Sequence, residues 1–443
     1  MKSDSRPTVL FLVHRIPYPP NRGDRIRSFH MLDFLARRAE VALAFLSEQR
    51  PSADAQRALA ERCRWVDWAL WGRWRRWVRA AWTFARRRTA TEGLFASGPL
   101  RRKLQRWLGE HRPDAVLVFC SSMAPYLNLP GLERVRTVVD LVDVDSQKWF
   151  DYARLSRGWR RWAYEQEGQR LRRLEQWIGQ RASAVVLTGP HEAALYRQIA
   201  PTANVHVVLN GVDLDYFRPD DRTAVQPWAS GLPPMDSSPS GSARCVFVGA
   251  LDYQANIDGI AWFCQEVWPE VVRRRTNAQF VVVGSHPTGQ VYRLARQTPG
   301  VRLVGPAPDV RPYLAEAEVV VVPLRLARGI QNKVLEALAM GKAVLATPQA
   351  LEGLAVQPGV HAESAAEPAD WAEKLCHLWA DPNRRAALGW AGRTYVQIHH
   401  RWDQTLRPLA ELLGLPEPAQ TGQEEPPGCQ NRGLLAPKIP SAG

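Results

Sequence analysis

The residues best suited to chemistry in this chain are Lys333 and Glu336. They lie in the stretch Arg328-Gly329-Ile330-Gln331-Asn332-Lys333-Val334-Leu335-Glu336-Ala337-Leu338-Ala339-Met340-Gly341. A helix over 331–340, stopped by Gly341, leaves the N–H groups of its first turn unpaired and pointing outward. With the helix dipole these groups attract an anion. Lys333 adds a positive point charge in the same turn, and Glu336, three residues on, can accept hydrogen bonds from a pair of hydroxyls. Phosphate plus ribose is the ligand this chemistry suits. Locally, an ordinary strand–helix unit of a parallel sheet reads the same way. A second cluster, Asp143-Val144-Asp145-Ser146, follows the apolar run 136–142. Carboxylates at the carboxyl end of a parallel strand stand where such sheets bind ligands, so Asp143 is the leading polar candidate there and Asp145 the next. A helix N-cap role for Asp145 or Ser146 is the alternative.

Holding these side chains in place takes an α/β frame. The run Val319-Val320-Val321-Val322-Pro323-Leu324 reads as a buried parallel strand that stops at Pro323, with Gly329 the flexible point of the loop after it. At the other end of the chain a strand over 8–13 leads into His14-Arg15-Ile16-Pro17-Tyr18-Pro19-Pro20-Asn21-Arg22-Gly23-Asp24-Arg25, then a helix over 26–38 and a strand over 40–46. That β-loop-α-β opening begins a doubly wound sheet. Further strands are expected at 65–71, 114–120, 136–142, 184–188 and 205–209, and a long basic helix at 155–180. Residues 221–243 are rich in Pro, Ser and Gly and read as a flexible linker. The βα pattern then restarts, with strands at 245–249, 280–284, 301–304 and 343–347, a helix at 257–275 and helices to about 413. The fold expected is α/β with two Rossmann-like, doubly wound parallel-sheet domains, 1–220 and 244–395. Residues 415–443 read as a disordered tail.

Charge divides the chain as well. Residues 1–220 hold 37 Lys+Arg against 23 Asp+Glu, a net of +14, while 221–443 hold 21 of each. The whole excess lies in the first half, which points to an anionic partner there: a membrane surface, a lipid phosphate or a nucleic acid. No nucleic-acid motif accompanies the interleaved Arg and Trp, so no nucleic-acid partner is expected. Trp74, Trp77, Val78, Ala81, Trp82 and Ala85 fall at i, i+3, i+4, i+7, i+8 and i+11, one helical face, and Arg73, Arg75, Arg76 and Arg79 occupy the remainder. A basic helix with a tryptophan face suits a membrane interface. A core helix with a solvated arginine face has the same periodicity. No window approaches the roughly 18 uninterrupted apolar residues of a spanning helix, and the run Val9–Val13 is too short for a signal peptide. The expected location is cytoplasmic, peripheral on the inner face of the cytoplasmic membrane. Six cysteines (63, 120, 245, 264, 376, 429) form no CxxC pair and read as free thiols.

Around Gly329-Ile330-Gln331-Asn332-Lys333-Val334-Leu335-Glu336 the chain resembles the retaining GT-B glycosyltransferases of family 4, and within them a subgroup beside bacterial exopolysaccharide and exosortase (PEP-CTERM) systems. Further resemblance lies in Asp143-Val144-Asp145-Ser146, in Asn210-Gly211-Val212-Asp213 with Phe217 and Pro219, and in Gly305-Pro306-Ala307-Pro308-Asp309-Val310-Arg311-Pro312-Tyr313-Leu314. It spans roughly residues 8–410, and it rests on order and spacing rather than on one motif. It implies transfer of a sugar from a nucleotide-diphosphate-sugar to a lipid-linked or glycan acceptor, with retention and with no cofactor or metal. Asp143-Val144-Asp145, though spelt like a metal motif, lies in the first domain. The resemblance also implies a C-terminal helix, within 396–414, that crosses back onto the first domain. Donor binding is implied at Gly249, Asn256, Gly284, Val310, Gly329, Ile330, Gln331, Asn332, Lys333 and Glu336. Arg22, Gly23, Asp24, Arg25 and His191 fall on the acceptor side, and Asp143 and Lys333 are the implied catalytic residues.

The chain departs from the pattern in three places. Arg328 stands where many relatives carry a second glutamate. Gly23 lacks the usual adjacent glycine. Ala250 and Ala255-Asn256 stand where Arg and Lys commonly clamp the diphosphate, which leaves that role to Lys333. Arg328 and the missing Arg/Lys clamp motivate one alternative, a non-catalytic scaffold of a polysaccharide assembly; a sugar-nucleotide epimerase, which shares the two-domain fold, is another.

Overall fold

A computed structural model describes residues 6–72, 74–219, 243–327 and 329–417. Arg73, Arg328, Cys429, nearly all of the expected linker and most of the expected tail lie outside the described residues.

Each half builds one parallel sheet. In the first, β1 (Thr8–Val13), β2 (Glu40–Ser47), β3 (Trp65–Leu70), β4 (Ala115–Phe119), β5 (Arg136–Val142), β6 (Ala184–Leu187) and β7 (Val205–Val207) run side by side in the order β3-β2-β1-β4-β5-β6-β7. In the second, β8 (Arg244–Val248), β9 (Gln279–Val283), β10 (Val301–Gly305), β11 (Val319–Val322), β12 (Ala343–Ala346) and β13 (Glu363–Ser364) run in the order β10-β9-β8-β11-β12-β13. The central strands β1, β4, β8 and β11 are buried on both faces. That is why they read as near-continuous Val/Leu/Phe runs with no polar alternation. In both sheets the strand order reverses at the centre, between β1 and β4 and between β8 and β11. The crevice beyond the carboxyl ends of those pairs is where a sheet of this winding can take a ligand.

The helices of the first half are α1 (Gly23–Ala36), α2 (Ala53–Ala60), α3 (Arg75–Ala85), α4 (Ala90–Phe95), α5 (Gly98–Glu110), α6 (Asp145–Arg154), α7 (Gly158–Arg181) and α8 (Pro190–Ile199). Those of the second are α9 (Gln254–Trp262), α10 (Trp268–Arg274), α11 (Gly289–Gln297), α12 (Arg311–Glu316), α13 (Asn332–Ala339), α14 (Pro348–Leu351), α15 (Pro368–Ala380), α16 (Pro382–His399), α17 (Trp402–Thr405) and α18 (Arg407–Leu413).

Several expected boundaries are corrected. Helix α1 begins at Gly23 rather than 26, so Gly23, Asp24 and Arg25 are its first turn and not a loop. Likewise α9 begins at Gln254, which puts Asn256 in a helix. The single helix expected at 257–275 is interrupted by a π turn over Phe263–Val267. The long helix expected at 155–180 runs from Gly158 to Arg181, and the separate α6 precedes it.

The C-terminal segment is built of three helices, α16, α17 and α18, rather than one. Helix α16 ends at His399, and α17 and α18 then pack Trp402, Leu406, Leu409, Ala410 and Leu413 into the same core as Val9, Phe11 and Val13. His400 pins the crossing. Its backbone carbonyl accepts from Val212 N, its Nδ1 lies 2.8 Å from the Asn210 carbonyl and its Nε2 lies 3.0 Å from the Tyr395 hydroxyl. A bend at this buried histidine, rather than one continuous helix, satisfies the chain's polar groups where it changes domain.

Candidate active site

Beyond the ends of β8 and β11 the second half presents Lys333 in the first turn of α13, after the loop that carries Gly329. Its ammonium Nζ donates to Asn256 Oδ1 at 2.8 Å and lies 5.3 Å from the centre of the Phe247 ring. Asn256 is itself buried and fixed, its Nδ2 donating to the Ala250 carbonyl at 2.7 Å. Burial pulls the Lys333 ammonium down to about 8, with Glu336 opposing. Burial pushes Glu336 up to about 7, with Lys333 opposing. A lysine whose charged form is disfavoured by burial would be favoured again by an anionic group beside it.

The other residues expected on this side take varied places. Gly329 sits in the left-handed region at φ 60°, Ile330 is buried, and Gln331 caps the N-terminus of α13 with an extended backbone. Gly249 ends β8 beside Asn256 Nδ2. Gly284 packs on Gly249, so that any side chain there would collide with the Gly249 carbonyl oxygen. Its smallness thus serves the approach of two strand ends. Val310 is the N-cap of the short helix α12.

From the first half Asp143 faces this site. It stands on the turn between β5 and α6. A Cβ placed on Gly329 would strike its Oδ1 and lie 3.2 Å from Thr188 Oγ1. The carboxylate accepts from Thr188 Oγ1 at 3.3 Å. Burial first, then the charges of Glu192 and Asp145, raise it to about 7. Asp145 is the first residue of α6 and accepts from Ser121 Oγ. Neither it nor Ser146 caps that helix, whose N-cap is Val144 with no side-chain bond. The turn is held by two buried glutamates that no sequence signal marked. Glu192 accepts from Val144 N at 2.7 Å, and Glu175 accepts from Ser146 N at 2.9 Å and from Ser146 Oγ at 2.6 Å. Helix carboxylates are ordinarily solvated, so their burial is visible only in the fold. Val142, just before Asp143, takes φ 67°, a conformation β-branched residues avoid. The Asp140 carboxylate accepts from its N–H at 2.8 Å.

The two halves also meet directly. Asn332, at the start of α13, accepts from Asn210 Nδ2 at 3.0 Å through Oδ1. Asn210 Oδ1 accepts from Arg27 at 2.7 Å, and Arg27 is ion-paired with fully buried Asp140 at 2.7 Å. A Cβ on Gly23 would lie 3.7 Å from Asn332 Nδ2. The first turns of α1 and α13 therefore face one another across the crevice. On the α1 side Asp24 lies between His14 (3.2 Å), Arg15 (3.4 Å) and Arg22 (3.7 Å), and its acidity rises far beyond the usual carboxylate range. His191, in the first turn of α8, stays exposed and lies 3.7 Å from Glu352 of the second half. Among the described residues no group of three or more His, Cys, Asp or Glu side chains could hold a metal ion. No helix of the described residues is long and apolar enough to cross a membrane. The described cysteines are free.

The helix α3 inverts the pattern of a core helix. Ala80 and Thr83 face the protein, and Trp74, Trp77 and Trp82 are 67 %, 60 % and 55 % exposed. Trp159 and Trp162 at the start of α7 are exposed beside them, with Trp162 edge-on to Phe84.

Two family models match the chain: "Glycosyl transferase 4-like domain" over residues 26–211 and "Glycosyl transferases group 1" over 242–381. No curated protein matches it. Among solved structures, the sucrose-phosphate synthase of Thermosynechococcus elongatus aligns with a TM-score of 0.66 at 17 % identity, covering 92 % of this chain and 98 % of that one. Anabaena HepE, solved with UDP and glucose, aligns at 0.63 and 14 % identity over 92 % and 99 % of the two chains. WaaG, a glycosyltransferase involved in lipopolysaccharide biosynthesis, aligns at 0.60 and 16 % identity over 92 % and 100 %.

Proposed function

Starting from a glycosyltransferase of the GT-B fold, we propose that this chain moves a sugar from a nucleotide-diphosphate-sugar held by its second domain to a lipid-linked acceptor held by its first, with retention at the anomeric carbon. The observation that carries this reading is the Lys333–Asn256 pair at the first turn of α13, opposite Asp143. HepE, bound to UDP and glucose in its crystal, supports the donor class.

In the reaction the anomeric C–O bond to the diphosphate breaks and a bond to the acceptor oxygen forms. The charge that develops on the leaving diphosphate falls on the Lys333 ammonium and on the N–H groups of α13. No metal takes part in this reading. The acceptor hydroxyl gives up a proton. Asp143, raised to about 7 by burial and by its acidic neighbours, is the carboxylate poised to receive or orient it near neutral pH. Glu336 receives the ribose hydroxyls. The basic first domain, with the exposed tryptophans of α3, settles on the anionic inner face of the cytoplasmic membrane, where about 1 kcal/mol per nearby Lys or Arg is available. The setting is exopolysaccharide biosynthesis of the exosortase-associated kind.

A panel of nucleotide-sugars scored by thermal shift tests the donor site, because a ligand bound only to the folded state stabilises it in proportion to occupancy. The best donor is then supplied with lipid-linked acceptors in anionic vesicles. Hydrolysis or epimerisation without transfer would overturn the reading.

A further inference from the structure

Outside the Lys333 site, a cluster of positive charge lies around Trp71, between the start of α1 and the start of α3. Arg15, Arg22 and Arg25 surround the start of α1, and Arg76 joins them from α3. Arg15 and Arg76 both lie against the Trp71 ring, 5.4 Å and 4.4 Å from its centre. The acidic groups facing them are Asp24 and Glu48. Asp24 lies 3.4 Å from Arg15 and 3.7 Å from Arg22, and Glu48 lies 3.2 Å from Arg76. Four guanidiniums thus share two carboxylates. Arg25 is disfavoured as a cation first by burial, then by Arg15 and Arg22, with Asp24 and Glu48 opposing.

Hydrogen bonding points the same way. The Nε atoms of Arg15, Arg25 and Arg76 are each buried with no partner among the described residues. A buried guanidinium N–H without an acceptor is unfavourable, and three of them fall in this one cluster. What they lack is acceptor oxygens and negative charge. A phosphate or diphosphate group supplies both, and guanidiniums bind it in a geometry that lysine cannot match.

We propose that Arg15, Arg22, Arg25 and Arg76 form a second anion site, separate from Lys333, that holds the phosphate or diphosphate of the acceptor. This deepens the reading of the first domain as the acceptor side and rests on it. Position favours the acceptor over the donor as the source of the anion. Arg76 belongs to α3, so the cluster borders the helix whose tryptophans are exposed. A lipid phosphate seated on the arginines has its chain directed to an apolar surface. The donor's diphosphate is answered by Lys333 and α13 in the other half.

The test uses the full-length protein with farnesyl diphosphate, farnesol, UDP and GDP, each titrated separately. Farnesyl diphosphate is expected to bind more tightly than farnesol and to be displaced by inorganic pyrophosphate. Arg25→Gln and Arg15→Gln are each expected to weaken it by roughly tenfold or more, as loss of a charge-assisted bond does. Arg25→Lys should recover part of the loss. The preferred nucleotide should bind these variants as it binds the wild type and should be weakened by Lys333→Ala. If the arginine variants weaken the nucleotide as much as the prenyl diphosphate, the cluster serves the donor and the proposal falls. Equal binding of farnesol and farnesyl diphosphate overturns it also. Failure of both nucleotides to bind, with farnesyl diphosphate still sensitive to the arginines, would instead count against the donor assignment and leave the arginine site standing. Circular dichroism of each variant establishes that it is folded.

Discussion

Nucleotide binding should be coupled to protonation of Lys333, and the size of the coupling follows from the site. The lysine is drawn from 10.5 to about 8 by burial. That displacement corresponds to about 3 kcal/mol of unfavourable charge in the free protein. Its folded pKa lies below its unfolded one, so the penalty is full below pH 8 and is relieved as pH rises from 8 to 10.5. Glu336, raised from 4.5 to about 7, works in the opposite sense. It costs nothing below pH 4.5 and its penalty builds between 4.5 and 7. Between pH 7 and 8 each group is at least half charged, and a bound diphosphate beside Lys333 offsets the burial that depresses its pKa. At pH 9 roughly nine in ten free molecules carry neutral Lys333, so binding should take up close to one proton. Through Lys333, affinity should fall by up to roughly tenfold per pH unit above pH 8. Calorimetry of the preferred nucleotide diphosphate in two buffers of different ionisation enthalpy measures the uptake. Subtracting the same titration of Lys333→Ala removes the ligand's own ionisations. An uptake at pH 9 that is identical in wild type and Lys333→Ala would refute the placement of the diphosphate on this lysine.

Further outcomes are expected. Asp143→Asn should keep nucleotide affinity and lose transfer by about 10²–10⁴-fold, and the wild-type rate should rise between pH 6 and 8 as Asp143 ionises near 7; an Asn variant with wild-type turnover would remove Asp143 from the chemistry. Gly329→Ala puts a Cβ against the Asp143 carboxylate at a left-handed φ of 60°. The backbone cost is about 1–2 kcal/mol, and transfer should fall further than thermal stability, as paired assays of rate and melting will tell. Changing Trp74, Trp77 and Trp82 together to Ala should move stability by no more than about 0.5 kcal/mol per site, because these rings are exposed. Co-sedimentation with anionic vesicles should drop, and wild-type binding should weaken with salt; a triple variant that sediments like wild type would detach α3 from the membrane. Arg27→Ala leaves Asp140 buried without its partner and should cost roughly 3–5 kcal/mol, read as a lowered denaturant midpoint.

The sequence alone was sufficient for whatever depends on local pattern. Runs such as Val319–Val322 and Val9–Val13 are continuous apolar stretches because both faces of a central parallel strand are buried, and that shows in one dimension. Spacing in the Gly329–Glu336 stretch places Lys333 in the first turn of a helix and Glu336 one turn on, since helix geometry is set by a period of 3.6. The charge division between the halves needs only counting. Helix starts were harder. Gly23 and Gln254 open their helices with no side-chain cap, so no cap residue announced α1 or α9, and Asn256 read as loop.

Only the tertiary structure decided the rest, because it rests on contacts between residues far apart in the chain. Periodicity gave α3 a tryptophan face but could not say whether that face met the core or the solvent, since the pattern is the same for both; packing of Ala80 and Thr83 inward leaves the tryptophans outside. Asp143 meets Gly329 across nearly two hundred positions, and its raised pKa comes first from burial and then from Glu192, neither of which leaves a mark in the local sequence, with only the lesser contribution of Asp145 lying nearby in the chain. Resemblance puts Arg25 on the acceptor side and periodicity puts Arg76 on the polar face of α3, but neither joins them to each other or to Arg15. Their unpaired Nε atoms and shared carboxylates exist only once α1 and α3 are brought together around Trp71.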